Sequence, residues 1–500
     1  VPETQAQLSP TAVRRRWLYL AAQLCAFAAG LALTIPTELA RWRIARQDRA
    51  GVIAWLFEFH LDTTLPFLLL LVVPVCWFVR RRASVAEVTP EPATTPTTDW
   101  SAWVMALACF ITSLGASAWV ASRPVGEESL RARFGDLPPA YHDEFSYLLQ
   151  AKTFLAGRLS YPSNPQLPEL FDQMHVVNEG RFASRYFPGV GAWIAPFLAL
   201  GHPYWAQWLG GALAAFFTFW AGRELAGNRL GLFAGLLTAL SPGIALFDNL
   251  LLSHAPTIAA LMLFLFAFLR FMRTGGAAAA FWAGCGLSLA MLCRPMTAAG
   301  FGLPFGLWML VRLASSLRAP ATDERRRMLR GTLCLAAPLV AGLMLLLFYN
   351  RAITGNGFLS PYQLYTDTYT PRHVYGFNNV VRGQEHVGSR VIDNYDRWAK
   401  NLDPQLALAN EVERMQASAR WTLGLVPIAM AAVIFLIAVC WTVDLRWKLV
   451  AASVVSLHAV HVPYWFVGIM GWHYVFESAP LLLLLFAITT RALFVHCHAT

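Results

Sequence analysis

Charge is scarce in this chain. Asp, Glu, Lys and Arg together make up 14% of its 500 residues, too little for the surface of a soluble protein of that length. Cysteine is scarcer still, and its eight residues (Cys25, Cys76, Cys109, Cys285, Cys293, Cys334, Cys440 and Cys497) all lie in hydrophobic segments or the C-terminal tail. That placement excludes a disulfide framework and a CxxC metal or redox site. There is no P-loop and no dinucleotide fingerprint, so no nucleotide site is read here. Alternating strand patterns of about ten residues, the mark of an outer-membrane barrel, are missing as well. No long internal repeat is visible, which weakens an inverted-repeat transporter.

Apolar residues are what the chain has in abundance, at 57% with a mean hydropathy of +0.47. A hydrocarbon core about 30 Å thick needs roughly 20 apolar residues per helix, and runs of that length recur from end to end. The expectation is an all-α polytopic membrane bundle of about twelve spans. They fall near 17–37, 62–79, 102–122, 204–222, 230–247, 254–271, 279–295, 299–313, 332–349, 421–441, 449–469 and 477–490.

Alternating spans place Arg14, Arg15 and Arg16, then Arg80, Arg81 and Arg82, Arg223 and Arg229, Arg270 and Arg273, and the run from Arg318 to Arg330 on one side. By the positive-inside rule that side is cytoplasmic. Segment 38–51, with Arg41, Arg43, Arg46 and Arg49, is discordant: it is an interfacial turn, or the first two spans are misplaced. Pro188 to Leu200 is too short to span and is placed as an interfacial or re-entrant helix on the outer side. The first hydrophobic run continues to Ile35, so it is expected to be a retained anchor with its N terminus inside.

The net charge of +10 belongs to these inner loops, and no nucleic-acid partner is expected. The organisation expected is an N-terminal hairpin (1–82), a Thr/Pro linker (83–101), a core (102–349) with outer loop 123–187, a second outer loop (350–420) and C-terminal spans (421–500). The protein is expected in an inner or plasma membrane.

The two outer segments hold about half of the acids, 15 of 29, with four of the twelve histidines, and chemistry is expected there. The run Tyr141, His142, Asp143, Glu144, Phe145, Ser146, Tyr147 sets an acidic pair at the edge of a hydrophobic domain. A helix is expected over 143–159, lying on the membrane surface with Phe145, Leu148, Leu149 and Leu155 on one side and Glu144, Lys152 and Arg158 off it. Asp143 falls at or near the N-cap, where backbone N–H groups favour the ionised carboxylate. On local sequence the plainer reading is that Asp143 caps the helix and Glu144 is a solvated first-turn acid.

The series His142, Asp143, Glu144, Phe145, Tyr147, Ala151, Gly157, Arg158 and Leu159, in the first large outer loop, resembles the opening of the GT-C polyprenyl-phosphate-sugar glycosyltransferases. The nearest in style are the protein O-mannosyltransferase and aminoarabinose-transferase-like group of family 39 type. Arg185, Tyr186, Phe187 and Pro188, then Gly222 to Leu225, Leu240 to Pro242, and Ser253 with His254 agree in order, so the likeness covers roughly 100–310. It implies a GT-C fold and makes Asp143 the catalytic base, with Glu144 in support. Members of the aminoarabinose type carry a lysine before the Pro-containing segment, whereas this chain has Arg185, Tyr186 and Phe187. The donor phosphate therefore falls to Arg185, and that branch's sugar is not inherited.

The reaction so implied is inverting transfer of a sugar from a polyprenyl-phosphate donor to a hydroxyl of a protein, lipid or glycan on the non-cytoplasmic face. The leaving phosphate gathers charge, for which Arg158, Arg185 and Arg294 are the candidate cations. Substrate contacts are expected from His142, Tyr186, Asp248, His254, Arg382, His386, His473 and Glu477. Tyr362, Tyr365, Tyr369, Tyr375 and Trp398 are candidates for stacking on sugars. His175 with Asp172 is a possible ligand pair, but no metal site is expected, and no cofactor beyond the lipid-linked donor. Two other classes stay open: a lipid or sugar transporter, and a non-catalytic subunit that borrows the fold.

Overall fold

The computed structural model describes residues 10–47, 63–80, 100–125, 132–318 and 323–499. The linker 83–99, Arg49, the polar residues Glu58, His60 and Asp62, and Thr322 lie outside the described residues. Six described helices are long and apolar enough to cross a membrane: Arg14–Arg46, Trp100–Ala121, His254–Thr274, Pro295–Arg318, Asp323–Thr354 and Ile469–His496. Counting Pro404–Thr422 with Leu425–Trp441 as one span makes seven. The protein is an all-α, multi-pass membrane bundle.

The chain forms two compact units. One comprises Val1–Asp99, Ala419–Ala451 and Leu482–Thr500, and the other Trp100–Ser418 and Ala452–Leu481. In the first, helix Pro10–Gln47 packs against Thr64–Arg80 and Leu425–Ile437. Of the two readings of segment 38–51, the helix sets aside the interfacial turn and agrees with a misplaced first span, because it runs on to Gln47 and holds Arg41, Arg43 and Arg46 within it. Its buried Glu38 accepts hydrogen bonds of 2.8 Å from Arg41, Thr63 and Thr64, so the local excess of arginine is partly neutralised in place.

In the second unit Trp100–Ala121 packs on Trp205–Ala226, which packs on His254–Thr274, followed by Ala277–Cys293 and Asp323–Thr354. Small residues let these helices approach closely. A Cβ on Gly210 would lie 2.7 Å from the backbone of Ala255, and one on Gly286 would lie 2.6 Å from the Ala260 carbonyl. The expected span 230–247 is not one helix. Asn228–Ala239 ends at Leu240, and Pro242, at the first position of Pro242–Phe247, starts a new one, because proline has no N–H to continue the ladder.

Segment 123–187 departs from expectation in two ways. Its helix is His142–Leu155, and it stops before Gly157, whose φ of +70° turns the chain. Its buried side is the polar one: Glu144, Ser146, Tyr147, Gln150, Ala151 and Thr153 face the protein, while Phe145 and Leu155 are exposed. The segment also folds a two-stranded ribbon, β1 (Pro124–Val125) with β2 (Ala132–Arg133), and a small antiparallel sheet, in the order β3 (Tyr161–Pro162), β5 (Arg181–Ser184), β4 (Val176–Asn178). In segment 350–420 a short turn, Asp393–Asp396, precedes the helix Pro404–Thr422.

Candidate functional site

The β4–β5 hairpin builds one wall of the site. Val176 pairs with Ser184 and Val177 with Ala183, so the residues just beyond the paired ends, His175 and Arg185, are brought side by side. The Arg185 amide closes the end of the ladder by donating to the His175 carbonyl at 3.1 Å. Helix His142–Leu155 docks on this hairpin through Ser146, whose hydroxyl donates to the same carbonyl at 2.6 Å and lies 2.8 Å from that of Ser184. Buried Gln150 fixes the helix further along. Its amide N–H donates at 2.9 Å to both the Tyr186 carbonyl and the Tyr349 hydroxyl, and its carbonyl accepts from Gly191 at 3.0 Å.

This docking sets the two acids apart. Glu144 is buried, and its carboxylate accepts from the amides of Ala140 at 2.9 Å, Tyr141 at 3.1 Å and Leu251 at 2.7 Å. It is the capping acid, and neither a solvated one nor one that shares the cluster around Asp143. Asp143 is not the cap, which is Tyr141. Its Oδ1 lies 2.6 Å from Nδ1 of His175 and also accepts the Tyr186 hydroxyl. No hydrogen bond or ion pair to Oδ2 is formed among the described residues.

The electrostatics follow from these neighbours. Burial alone would raise the Asp143 carboxyl, but His175, His473 and Arg185 outweigh it and hold the group well below the usual carboxylate range. Burial and Arg185 push His175 down to about 4 against the opposing pull of Asp143. Burial raises the Tyr186 hydroxyl well above the ordinary phenol value, so it remains a donor. At neutral pH the centre is thus an anionic Asp143 between a neutral imidazole and a phenol.

Arg185 lies within this centre and is itself buried. Its guanidinium sits 4.5 Å from the Tyr362 ring, 4.9 Å from that of Tyr365 and 5.1 Å from that of Tyr186. The first two come from helix Pro361–Tyr369 of segment 350–420. Cation–π contact satisfies the faces of the guanidinium and its Nη2 donates to the Tyr186 hydroxyl at 3.4 Å, but Nε has no hydrogen-bond partner among the described residues. A buried cation with a free donor suits a phosphate oxygen.

A second polar cluster lies within electrostatic range of Asp143. Arg294 donates to Nδ1 of His254 at 2.6 Å, to the His473 carbonyl at 3.0 Å and to Glu477 at 2.9 Å. His254 and His473 meet at 3.2 Å. Of the polar residues expected to contact substrate, His254, His473 and Glu477 come together, and they do so around Arg294, which Glu477 neutralises.

Other expected residues lie elsewhere. Arg158 is exposed beside Tyr161, 5.5 Å from its ring. It follows the C-terminal end of the helix whose first turn carries Asp143. Asp248 is buried and accepts a hydrogen bond from Ser117 at 2.9 Å. Arg382 holds its own loop through the carbonyls of Tyr375 at 2.8 Å and Phe377 at 3.1 Å, and His386 is exposed. His142 stands at the rim, its ring 6.1 Å from that of His175.

Asp172 pairs with Arg390 and Asn178, not with His175. Among the described residues no three His, Cys, Asp or Glu side chains converge as a metal site. Tyr369 bonds Glu179 at 2.8 Å, Tyr375 bonds the Val460 carbonyl at 2.8 Å, and Trp398 stacks on Tyr395. Sequence reasoning missed the role of His175 and the partner on its far side, Tyr395, whose hydroxyl lies 3.0 Å from Nε2. The signal was the run Val176, Val177, Asn178, Glu179, Gly180, Arg181, a hairpin with its turn glycine, which sets its two flanking residues together.

No family model matches the chain, and no curated protein matches it. Among solved structures it is similar to ArnT from Cupriavidus metallidurans bound to undecaprenyl phosphate, at 15% identity with a TM-score of 0.47, over 79% of this chain and 61% of that one. It is similar also to the apo oligosaccharyltransferase of Archaeoglobus fulgidus, at 13% identity with a TM-score of 0.47, over 80% of this chain and 52% of that one. The archaeal AglB from the same organism, in complex with an inhibitory peptide and a dolichol-phosphate, is similar at 11% identity with a TM-score of 0.43, over 80% and 51%. The chain thus spans between about half and three fifths of the length of these chains.

Proposed function

We propose that the protein is an inverting glycosyltransferase of GT-C type, which moves a sugar from a polyprenyl-phosphate donor to an acceptor hydroxyl on the non-cytoplasmic face. The donor class comes from the sequence resemblance around Asp143 and Arg185. The single observation that carries the chemistry is the pairing of an anionic carboxylate, held through Oδ1 with Oδ2 free, with a buried arginine whose Nε is unpartnered.

In this reading Oδ2 of Asp143 takes the proton of the acceptor hydroxyl as that oxygen attacks the anomeric carbon from the face opposite the phosphate. The anomeric C–O bond breaks and its electron pair leaves on the polyprenyl phosphate. Arg185 donates to the phosphate oxygens as their charge grows, with Tyr362 and Tyr365 fixing the guanidinium in place. Glu144 holds the helix that carries Asp143, and Arg294 with His254, His473 and Glu477 forms the neighbouring polar wall. A transporter would be expected to move its cargo without breaking that bond.

The test is a transfer assay with the purified full chain and a panel of polyprenyl-phosphate sugars, following release of polyprenyl phosphate. Wild-type turnover of one donor, with loss in Asp143→Asn, supports the reading. Undiminished turnover in Asp143→Asn, or movement of intact donor across a bilayer without release of polyprenyl phosphate, refutes it.

A further inference from the structure

His175 has three properties that a loop residue rarely combines. Its backbone is left-handed, with φ of +66°, a region that a non-glycine residue adopts at a cost and that concentrates at functional sites. Its side chain is buried. Both ring nitrogens are engaged, Nδ1 with Asp143 at 2.6 Å and Nε2 with the Tyr395 hydroxyl at 3.0 Å. Nothing in helix capping or hairpin closure requires an imidazole here, because the hairpin uses the His175 carbonyl and not its ring.

The geometry points to His175 as a positioning residue: its Nδ1–H holds Oδ1 of Asp143 and leaves Oδ2 free for the acceptor proton, while Tyr395 donates to Nε2 and so fixes which nitrogen carries the hydrogen. This rests on the reading of Asp143 as the base. The left-handed backbone is what turns the ring back from β4 toward the helix N-terminus. Tyr186 supplies a second donor to the same Oδ1, and its hydroxyl also lies 3.0 Å from Nδ1, so the three groups form one closed triangle. Such outer contacts orient a reacting carboxylate and set its proton affinity.

The groups that face Asp143 come from every side. The hairpin contributes His175, Arg185 and Tyr186, and the 472–474 segment contributes His473. Tyr395 and Tyr474 also feel its charge. Removing the imidazole takes away the largest of the contributions that hold the carboxyl down. The carboxyl then moves up toward its ordinary value, and activity is lost at a higher pH on the acid side.

The experiment uses the full chain in nanodiscs, with the polyprenyl-phosphate sugar that the transfer assay identifies as probe. His175→Ala is expected to lower kcat roughly tenfold or more while the donor KM changes little. Its acid limb in kcat/KM should shift upward in pH. His175→Asn should recover most of the rate, because asparagine suits the left-handed backbone and places an N–H close to the Nδ1 position. His175→Gln, whose amide reaches the Nε2 position instead, should not.

In parallel, 15N NMR of histidine-labelled protein, assigned with His175→Ala, should show a neutral His175 protonated at Nδ1 at pH 7. That resonance should change in Asp143→Asn and in Tyr395→Phe. A His175→Ala enzyme with unchanged kcat and an unmoved acid limb overturns the inference, as does a ring protonated at Nε2. If the wild type turns over no such donor, the functional reading falls, and the NMR arm still decides whether His175 holds the Asp143 carboxylate.

Discussion

Asp143 and Glu144 are neighbours in sequence and point their carboxylates into separate networks. Glu144 accepts three backbone amides, of Ala140, Tyr141 and Leu251, and Asp143 accepts the side chains of His175 and Tyr186. One acid fixes the start of the helix and the turn before His254. The other is thereby presented to the site with an oxygen to spare.

The two acids should therefore fail differently. Asp143→Asn keeps shape and loses the base, so transfer should fall by about 10²–10⁴-fold with donor binding and thermal midpoint nearly unchanged. Glu144→Ala should lower the thermal midpoint, since each charge-assisted hydrogen bond lost is worth about 1.5–3 kcal/mol. Thermal melts beside transfer rates separate the two. An Asp143→Asn enzyme within about threefold of wild type would reduce that carboxylate to a structural role.

The phosphate assignment separates the arginines. Arg185→Gln should weaken polyprenyl-phosphate binding by about tenfold or more, the equivalent of one charge-assisted hydrogen bond. Arg185→Lys should recover part of it, because lysine keeps the charge without the planar fork. Arg158→Gln, exposed beyond the far end of the helix, should bind as the wild type does. Equal binding by Arg185→Gln would place the phosphate elsewhere, with Arg294 the next residue to change.

The pH profile carries a sign that can be checked. A base held below its ordinary value stays ionised as pH falls, and its activity is lost only when pH passes down through the lowered value. His175, pushed down to about 4, likewise stays neutral. Rates of transfer from pH 5 to 8 should show no limb from either group. A limb near pH 6.5, the ordinary histidine value, that disappears in His175→Asn would contradict the buried, neutral imidazole.

Gln150 joins three elements by three hydrogen bonds. Gln150→Leu fits by volume but leaves the Tyr349 hydroxyl, the Tyr186 carbonyl and the Gly191 amide without it, at about 1–3 kcal/mol for each group left unsatisfied. The thermal midpoint should fall and kcat with it. Gly191→Ala should do the same by overpacking, since its Cβ would lie 2.5 Å from Gln150. A Gln150→Leu protein as stable as the wild type would show that the helix is held by its apolar contacts alone.

The outer placement of both polar segments is tested by labelling. Cysteines introduced at exposed Asn164 and Ser389 should react with an impermeant thiol reagent in intact cells. Ser163, whose hydroxyl is buried, is the poorer position. Protection of both sites would reverse the orientation drawn from the arginine clusters and move the proposed chemistry to the other face.

The sequence by itself determined the class of the molecule, because lipid solubility is a property of composition: apolar runs of spanning length admit a multi-pass helical bundle and little else. It also singled out Asp143 and Arg185, since an acidic pair set between aromatic residues and an Arg-Tyr-Phe-Pro run stand out in a chain poor in charge. Which acid caps and which is free was decided by tertiary structure. Helical periodicity put Glu144 off the apolar side, as if solvated, but the docked helix turns its polar side inward, and Leu251, more than a hundred positions away, supplies the third amide. The same reason governs the arginines. Arg158 and Arg185 are alike in sequence, yet register in a three-stranded sheet puts one, buried, beside His175 and leaves the other exposed beyond the C-terminal end of the helix. Contacts between residues far apart in the chain leave no local period, so the triangle of Asp143, His175 and Tyr186 exists only once the hairpin and the helix have met.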